Sequence, residues 1–360
     1  MATRDEAAAT KAAAGGAERP LEGAAAGSRW AWFVGDLEAW RRGWTGPAGA
    51  VAFAVVVVLV LAATVATWAA HSDYQVWSGT PRYLLIMSTY FAIMLGVRAV
   101  VSRRLPRLPV LLDIVAVLLL MSALAAGYTA LKVQVPLLNG ANFDAQMATA
   151  DRILGLGIDP NVFLVSVFAG GPPWLAGAVD TYYFYFVTLF VIFAGWFLTD
   201  PRQDHRVAFA AGWIVVWAAG AVMYVALPVR GPVYFTRDLW HDVAQVFPFA
   251  AQLQAALFQN YTALVGGETR HIVHEYGIAA MPSLHVATHA YLWLWARNVG
   301  ARLAPLFLAM MVATWFASVA TGWHWAVDGL VGLLLAWAAA RMALALLRRP
   351  ASSAAHETAS

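Results

Sequence analysis

The run Gly49-Ala-Val-Ala-Phe-Ala-Val-Val-Val-Val-Leu-Val-Leu-Ala-Ala-Thr-Val-Ala-Thr-Trp-Ala-Ala70 carries no charged side chain. A helix needs about 20 apolar residues to cross roughly 30 Å of hydrocarbon, and this run has that length. It lacks the apolar/polar alternation of a membrane β-strand, and a helix satisfies its own backbone groups where no water can. The stretch therefore predicts a spanning helix.

Comparable runs recur at 83–102, 108–131, 179–199, 206–228, 280–298, 302–321 and 324–347. The expected fold is an all-α polytopic membrane protein with about eight transmembrane helices and helical caps in its outer loops. Composition agrees: 61% of the 360 residues are hydrophobic and 12% charged, and the mean hydropathy is +0.64. So few polar side chains could not cover a soluble domain of this size. The absence of cysteine rules out disulfides and thiolate metal sites. Residues 1–48 are polar and Ala/Gly-rich, so no cleavable signal peptide is expected, and the first spanning helix directs insertion. Residues up to about 28 read as disordered, and the Arg- and Trp-rich stretch Arg29–Trp44 as an interfacial helix.

Charge orients the bundle. Arg29, Arg41 and Arg42 precede the first run; Arg103, Arg104 and Arg107 follow the second; Arg202 and Arg206, Arg297 and Arg302, and Arg348 and Arg349 flank alternate later ends. The positive-inside rule then puts both termini in the cytoplasm, which requires an even number of spans. The expectation is a multi-pass protein of the cell membrane with five regions: a cytoplasmic tail and interfacial helix at 1–48, a three-helix layer at 49–131, an outer loop cap at 132–178, a catalytic membrane domain at 179–347 and a cytoplasmic tail at 348–360. The outer stretches 132–178 and 229–279 are too long for simple turns, and Asn142–Leu154 and Val243–Leu264 read as helices within them.

Two polar constellations interrupt the apolar sequence on the predicted outer side, Met281-Pro-Ser-Leu-His285 and Gly322-Trp-His-Trp-Ala-Val-Asp328. His324 and Asp328 are four residues apart, a spacing that on a helix lets a carboxylate fix the imidazole tautomer and leaves the other nitrogen free to attack an electrophile. Ser283 and His285 fall in the first turn of a helix opened by Pro282, where free N–H groups favour an anion. The bland alternative is that these groups cap and stabilise two helix starts. Their convergence on one membrane side favours a site. Other readings stay open beside it. His289, one turn after His285, could join a zinc site, though a packed histidine is the simpler reading. Asp113 is expected to be snorkelling or paired. Asp180 or Tyr182 could bind an acceptor hydroxyl.

These two motifs resemble the second and third motifs of the type 2 phosphatidic acid phosphatase superfamily, and Leu284, where classical phosphatase members carry Gly, resembles the inositol phosphorylceramide synthase-like branch. The resemblance implies that His324 is the nucleophile forming a phospho-enzyme, that Asp328 orients it, and that His285 protonates the leaving group, with no metal and no cofactor. It covers roughly 179–347 and departs from the family pattern twice. In the first motif Arg230, within Pro228-Val-Arg-Gly-Pro-Val-Tyr234, is present, but the Lys position falls near Met223; in the third, Ser318-Val-Ala-Thr lacks an Arg. Two phosphate-neutralising cations are missing, which favours a diester monoanion over a monoester dianion, and hence transfer. Arg230, Ser283, Arg270, Tyr234 and Asp180 are the expected substrate-binding residues, with His271 and His274 as further sources of charge. The expected partners are the membrane and a phospholipid or other lipid-linked phosphoester, not nucleic acid. The expected function is movement of a phospho-alcohol headgroup from a lipid donor to a lipid or glycan hydroxyl; the alternatives are a lipid phosphatase using water and, more remotely, a non-catalytic transporter.

Overall fold

In a computed structural model, which describes residues 26–103, 107–269, 272 and 277–348, the described residues form helices and no strand. The chain divides into the units Met1–Ala39 and Trp40–Ser360. The described residues of the first are helical and belong to α1 (Ala26–Thr45). The second continues with α2 (Pro47–Ala69), α3 (Thr80–Ser102), α4 (Leu108–Val133), α5 (Val135–Leu138), α6 (Asp144–Leu154), α7 (Pro160–Ala169), α8 (Pro173–Leu198), α9 (Gln203–Ala226), α10 (Pro232–Phe235), α11 (Arg237–Val246), α12 (Pro248–Val265), α13 (Leu284–Asn298), α14 (Ala304–Ala320) and α15 (Ala326–Arg348). Proline stands in the first turn of α2, α3, α4, α7, α8, α12 and α14, where its missing N–H has no helical partner to lose.

The chain is an all-helical membrane protein. Helices α2, α3, α4, α9 and α15 are long and apolar enough to span, and α8, bent by 45° between Pro173–Tyr185 and Phe190–Leu198, makes a sixth if its halves form one span. The expected count of eight needs α13 and α14 as well. Those helices have 15 and 17 residues, about 22 and 26 Å of rise against roughly 30 Å of hydrocarbon.

Helix α9 is the hub. It packs against α2 and α4 on one side and α13 and α15 on the other. Small residues allow this closeness, as they do where membrane helices cannot rely on expelled water: a Cβ at Gly212 would overlap the Tyr291 ring, and one at Gly220 would overlap Leu284. Leu284 thus has its space made by Gly220. At one end of the bundle Asp113 of α4 is buried and ion-paired with Arg206 of α9, and also accepts from Trp44 Nε1 (2.7 Å) and Gln203 Nε2 (3.2 Å). Of the two expectations for Asp113 the paired one holds. A buried pair of this kind contributes little net stability, but it fixes the register of two helices. The two histidine motifs lie at the other end of the bundle, at the starts of α13 and α15 and beside Lys132 at the end of α4.

Candidate active site

Helix α15 begins at Ala326, so His324 precedes the helix by two residues and Asp328 sits in its first turn. The pair is therefore brought together across a helix start rather than along one helical face. Asp328 Oδ2 accepts from the Trp325 N–H (3.0 Å) and lies 3.4 Å from His324 Nδ1, with both side chains buried. A carboxylate opposite Nδ1 holds the proton there and leaves Nε2 with its lone pair. On the neighbouring α13, Nδ1 of His285 is 3.0 Å from His324 Nε2 and 2.7 Å from the Tyr183 hydroxyl. The two imidazole rings meet edge to face with centroids 5.1 Å apart.

Ser283 is the N-cap of α13 rather than a member of its first turn. Its hydroxyl accepts from the Val286 N–H and its own N–H donates to the Asp328 carbonyl, so it is buried and committed to structure. Close approach of the two motifs depends on Gly332, where a Cβ would stand 2.5 Å from the Ser283 carbonyl oxygen. Gly322 (φ +73°) and Gly231 (φ +110°) supply left-handed turns just before His324 and just after Arg230. The Val233 N–H donates to the Gly322 carbonyl (3.2 Å), which ties the two turns together.

Four buried polar residues, none singled out by the sequence reading, pin the loop that carries His324. Asn161 of α7 donates to the carbonyls of Val319 (2.8 Å) and His324 (3.0 Å), and Gln254 of α12 donates to that of Thr321 (2.9 Å). Asp151 of α6 accepts from the Ala326 and Val327 N–H groups (2.7 and 2.8 Å), capping α15 from outside its own chain segment. Asp144 of the same helix accepts from the Gly231 N–H (2.9 Å), Trp325 Nε1 (3.1 Å), and the backbone N–H and Nε of Arg230 (3.2 and 3.1 Å). Asp144 and Asp151 are two helical turns apart, the one signal in the sequence that both face the same way.

Burial pushes the Asp151 carboxyl up from 3.8 to about 6, against the pull of its two N–H donors. A raised carboxyl pKa contributes stability that is complete below the unfolded value and is lost as pH rises through about 6. Wild-type protein in detergent is accordingly expected to melt at lower temperature as pH passes upward through that window, and Asp151→Asn to lack this step. An identical pH dependence of melting in the variant would contradict the assignment.

A cavity of ≈ 370 Å³ opens at the two histidines and is lined in part by Lys132, Asp180, Tyr183, Arg230, Tyr234, His285, Trp323 and His324. Of the expected substrate-binding residues, Arg230 lines it, 28% exposed but ion-paired with Asp144 (3.1 Å). Tyr234 lines it too, stacked on Phe258 with its hydroxyl donating to the Gln254 carbonyl (3.3 Å). The Asp180 carboxylate is engaged by the Phe249 and Ala250 N–H groups (2.8 and 2.9 Å), where it caps α12. Ser283 is not among the lining residues. Arg270, His271 and His274, like the tails before residue 26 and after 348, lie outside the described residues. The Tyr182 hydroxyl bonds Thr314 (2.9 Å) on α14 instead of entering the cavity; its neighbour Tyr183, one helical step round, is the one that reaches His285. Lys132, at the end of α4, lies beside the histidines, with its ammonium over the rings of Tyr128 and Tyr224 (5.9 and 5.4 Å).

His289 is buried, and its Nδ1 donates to the His285 carbonyl (2.8 Å), which makes it a packed residue. Among the described residues no three His, Cys, Asp or Glu side chains are placed to hold a metal ion. The arrangement is an imidazole held by a carboxylate, a second imidazole within reach of it, and cations at the same opening. No curated protein and no solved structure matches the chain. The model of the PAP2 superfamily matches residues 145–342, a range that takes in α6 from its second residue, both histidine motifs and most of α15. The chain thus belongs to the PAP2 superfamily and is an enzyme that hydrolyses or transfers the phosphoesters of lipid-like substrates.

Proposed function

We propose that the protein is a lipid phosphotransferase of the inositol phosphorylceramide synthase-like kind, which moves a phospho-alcohol headgroup from a lipid phosphodiester to a lipid or glycan hydroxyl. His324 Nε2 attacks phosphorus, an N–P bond forms, and the P–O bond to the leaving alcohol breaks with its electron pair on oxygen. His285 supplies that oxygen with a proton. The acceptor hydroxyl then attacks phosphorus and gives its proton to His285 as the N–P bond breaks and the lone pair returns to His324. Tyr183, bonded to the His285 nitrogen, positions that ring.

The observation that carries transfer over hydrolysis of monoesters is the weak positive charge of the site. Among the described residues lining the cavity the cations are Lys132 and Arg230, and Arg230 is offset by the buried Asp144 carboxylate. A phosphodiester monoanion matches that balance; a monoester dianion leaves charge uncompensated in a low-dielectric site. The Arg-bearing loops support an orientation with both termini cytoplasmic, eight spans, and the histidines and loop helices α6, α7 and α10–α12 on the outer side of the cell membrane.

Purified protein given a phosphodiester lipid and an acceptor alcohol should form headgroup-bearing acceptor, read by lipid mass spectrometry, much faster than it releases phosphate from phosphatidic acid. Val319→Arg, which adds a cation near His324, should narrow that gap. Equal or better hydrolysis of phosphatidic acid by the wild type would turn the reading to a phosphatase with water as acceptor.

A further inference from the structure

A second cavity, of ≈ 320 Å³, lies between α3, α4, α8 and α9, and meets the first at Lys132 and His285, which line both. Apart from those two residues and Thr129, whose hydroxyl is bonded to that of Tyr83 (3.0 Å), its wall is apolar and aromatic, with Phe91, Met121 and Leu124 on one side and Phe190 and Val191 on the other. Along α4 it extends from Lys132 to Val117, about 22 Å at the rise of an α-helix, which exceeds half the roughly 30 Å thickness of a hydrocarbon core. Ile86, in its lining, is 37% exposed, so the cavity reaches the lateral surface of the bundle. Helices α3 and α4 lie outside the family match at 145–342.

We infer that this cavity seats the hydrocarbon chain of the leaving alcohol, with Lys132 at its mouth on the phosphate; the inference rests on the transfer reaction proposed above. Direction decides it. Phosphoryl transfer runs with the attacking and leaving atoms roughly in line, so the leaving oxygen departs away from His324. His324 lines only the first cavity, whereas His285, the group that protonates the leaving oxygen, lines both. The alcohol released from a lipid phosphodiester carries the apolar chains, and on the His285 side the space is apolar. The headgroup, which stays on phosphorus and passes to the acceptor, is left in the first cavity, where Asp180, Tyr183 and Arg230 supply polar groups. Lys132 stands where the two meet, and among the described residues no carboxylate pairs with it, so its ammonium is available to the non-bridging oxygens that both halves of the reaction share.

The test uses the full-length protein in detergent with phosphodiesters of one headgroup, whose leaving alcohols run from nitrophenol through alkyl chains of increasing length. In the wild type kcat/KM should climb with each added methylene and level off once the cavity is filled; a flat series overturns the inference without needing any variant. Ala125→Phe, which fills the cavity from α4, should lower the ratio of kcat/KM for the longest chain to that for the nitrophenyl ester by about tenfold or more, the loss of two or more buried methylenes. Should that protein fail to accumulate, Ala194→Phe fills the same space from α8. An unchanged ratio in the folded variant overturns the inference. Lys132→Gln should lower kcat/KM by about tenfold for every donor and leave the ratio as it was, because the phosphate is common to all; an undiminished rate removes Lys132 from the site. If the wild type cleaves no diester and only frees phosphate from monoesters, it is the transfer reading that falls, and the chain-length series tells the two failures apart.

Discussion

His324→Ala should abolish turnover by several orders of magnitude and remove any covalently phosphorylated protein, as the loss of a nucleophile does in enzymes that work through a covalent intermediate. The intermediate is read by quenching protein and a headgroup-labelled donor in denaturant and following label on the polypeptide. Asp328→Asn should behave differently. An amide oxygen can still accept from the Trp325 N–H, so the turn survives, but it no longer holds the Nδ1 proton by charge, and the fraction of His324 in the attacking tautomer falls. That enzyme should be slow, not dead. His285→Ala should be partly rescued by a nitrophenyl phosphodiester, whose leaving group departs without a proton. The three residues lie at the starts of α13 and α15 and none is on the α9 hub itself, so melting in detergent should stay near wild type. Substantial turnover by folded His324→Ala would remove the covalent route.

The sequence made the site's chemistry visible because it is written in two short segments at the ends of apolar runs, where polar residues are conspicuous. The helical spacing of His324 and Asp328 pointed to a real pairing, although the geometry that makes it is a turn ahead of α15. What the sequence concealed was everything that depends on long-range contact. Tyr182 and Tyr183 are equally plausible by composition, and only the phase of α8 against α13 and α14 decides that the second reaches His285. Asp180 read as a substrate ligand, whereas tertiary packing spends its carboxylate on two N–H groups of α12. Lys132 carries no local sign of a role, because nothing in its neighbourhood reveals that the end of α4 lies beside two histidines far along the chain. Element lengths were subject to the same limit: hydropathy continues past the points where Ser283 and Leu303 begin new helices, so the runs at 280–298 and 302–321 looked longer than α13 and α14 are.

The remaining large effect concerns Asp144, which lies at the first residue of α6 and is 0% exposed. One of its oxygens, Oδ1, joins the turn after Arg230 to the turn after His324 by accepting from both the Gly231 N–H and Trp325 Nε1, and the other, Oδ2, holds the backbone N–H and guanidinium of Arg230. Asp144→Ala leaves buried N–H donors unpaired, at about 1–3 kcal/mol each, and frees the two turns to shift relative to one another. A displacement of about 1 Å in a catalytic constellation can cost on the order of 10²-fold, so kcat should fall by about that factor and the melting temperature should drop as well. A purely structural role would predict those results too, and Asp144→Asn separates the alternatives. With its amide oxygen turned toward Gly231 and Trp325, asparagine keeps both of those bonds; its amide nitrogen cannot accept from Arg230, whose charge is then no longer offset. Stability should recover most of the way, while the preference for phosphodiester over phosphatidic acid narrows, because the site has gained net positive charge. If Asp144 only braces the fold, Asp144→Asn will restore melting and leave that preference where it was in the wild type.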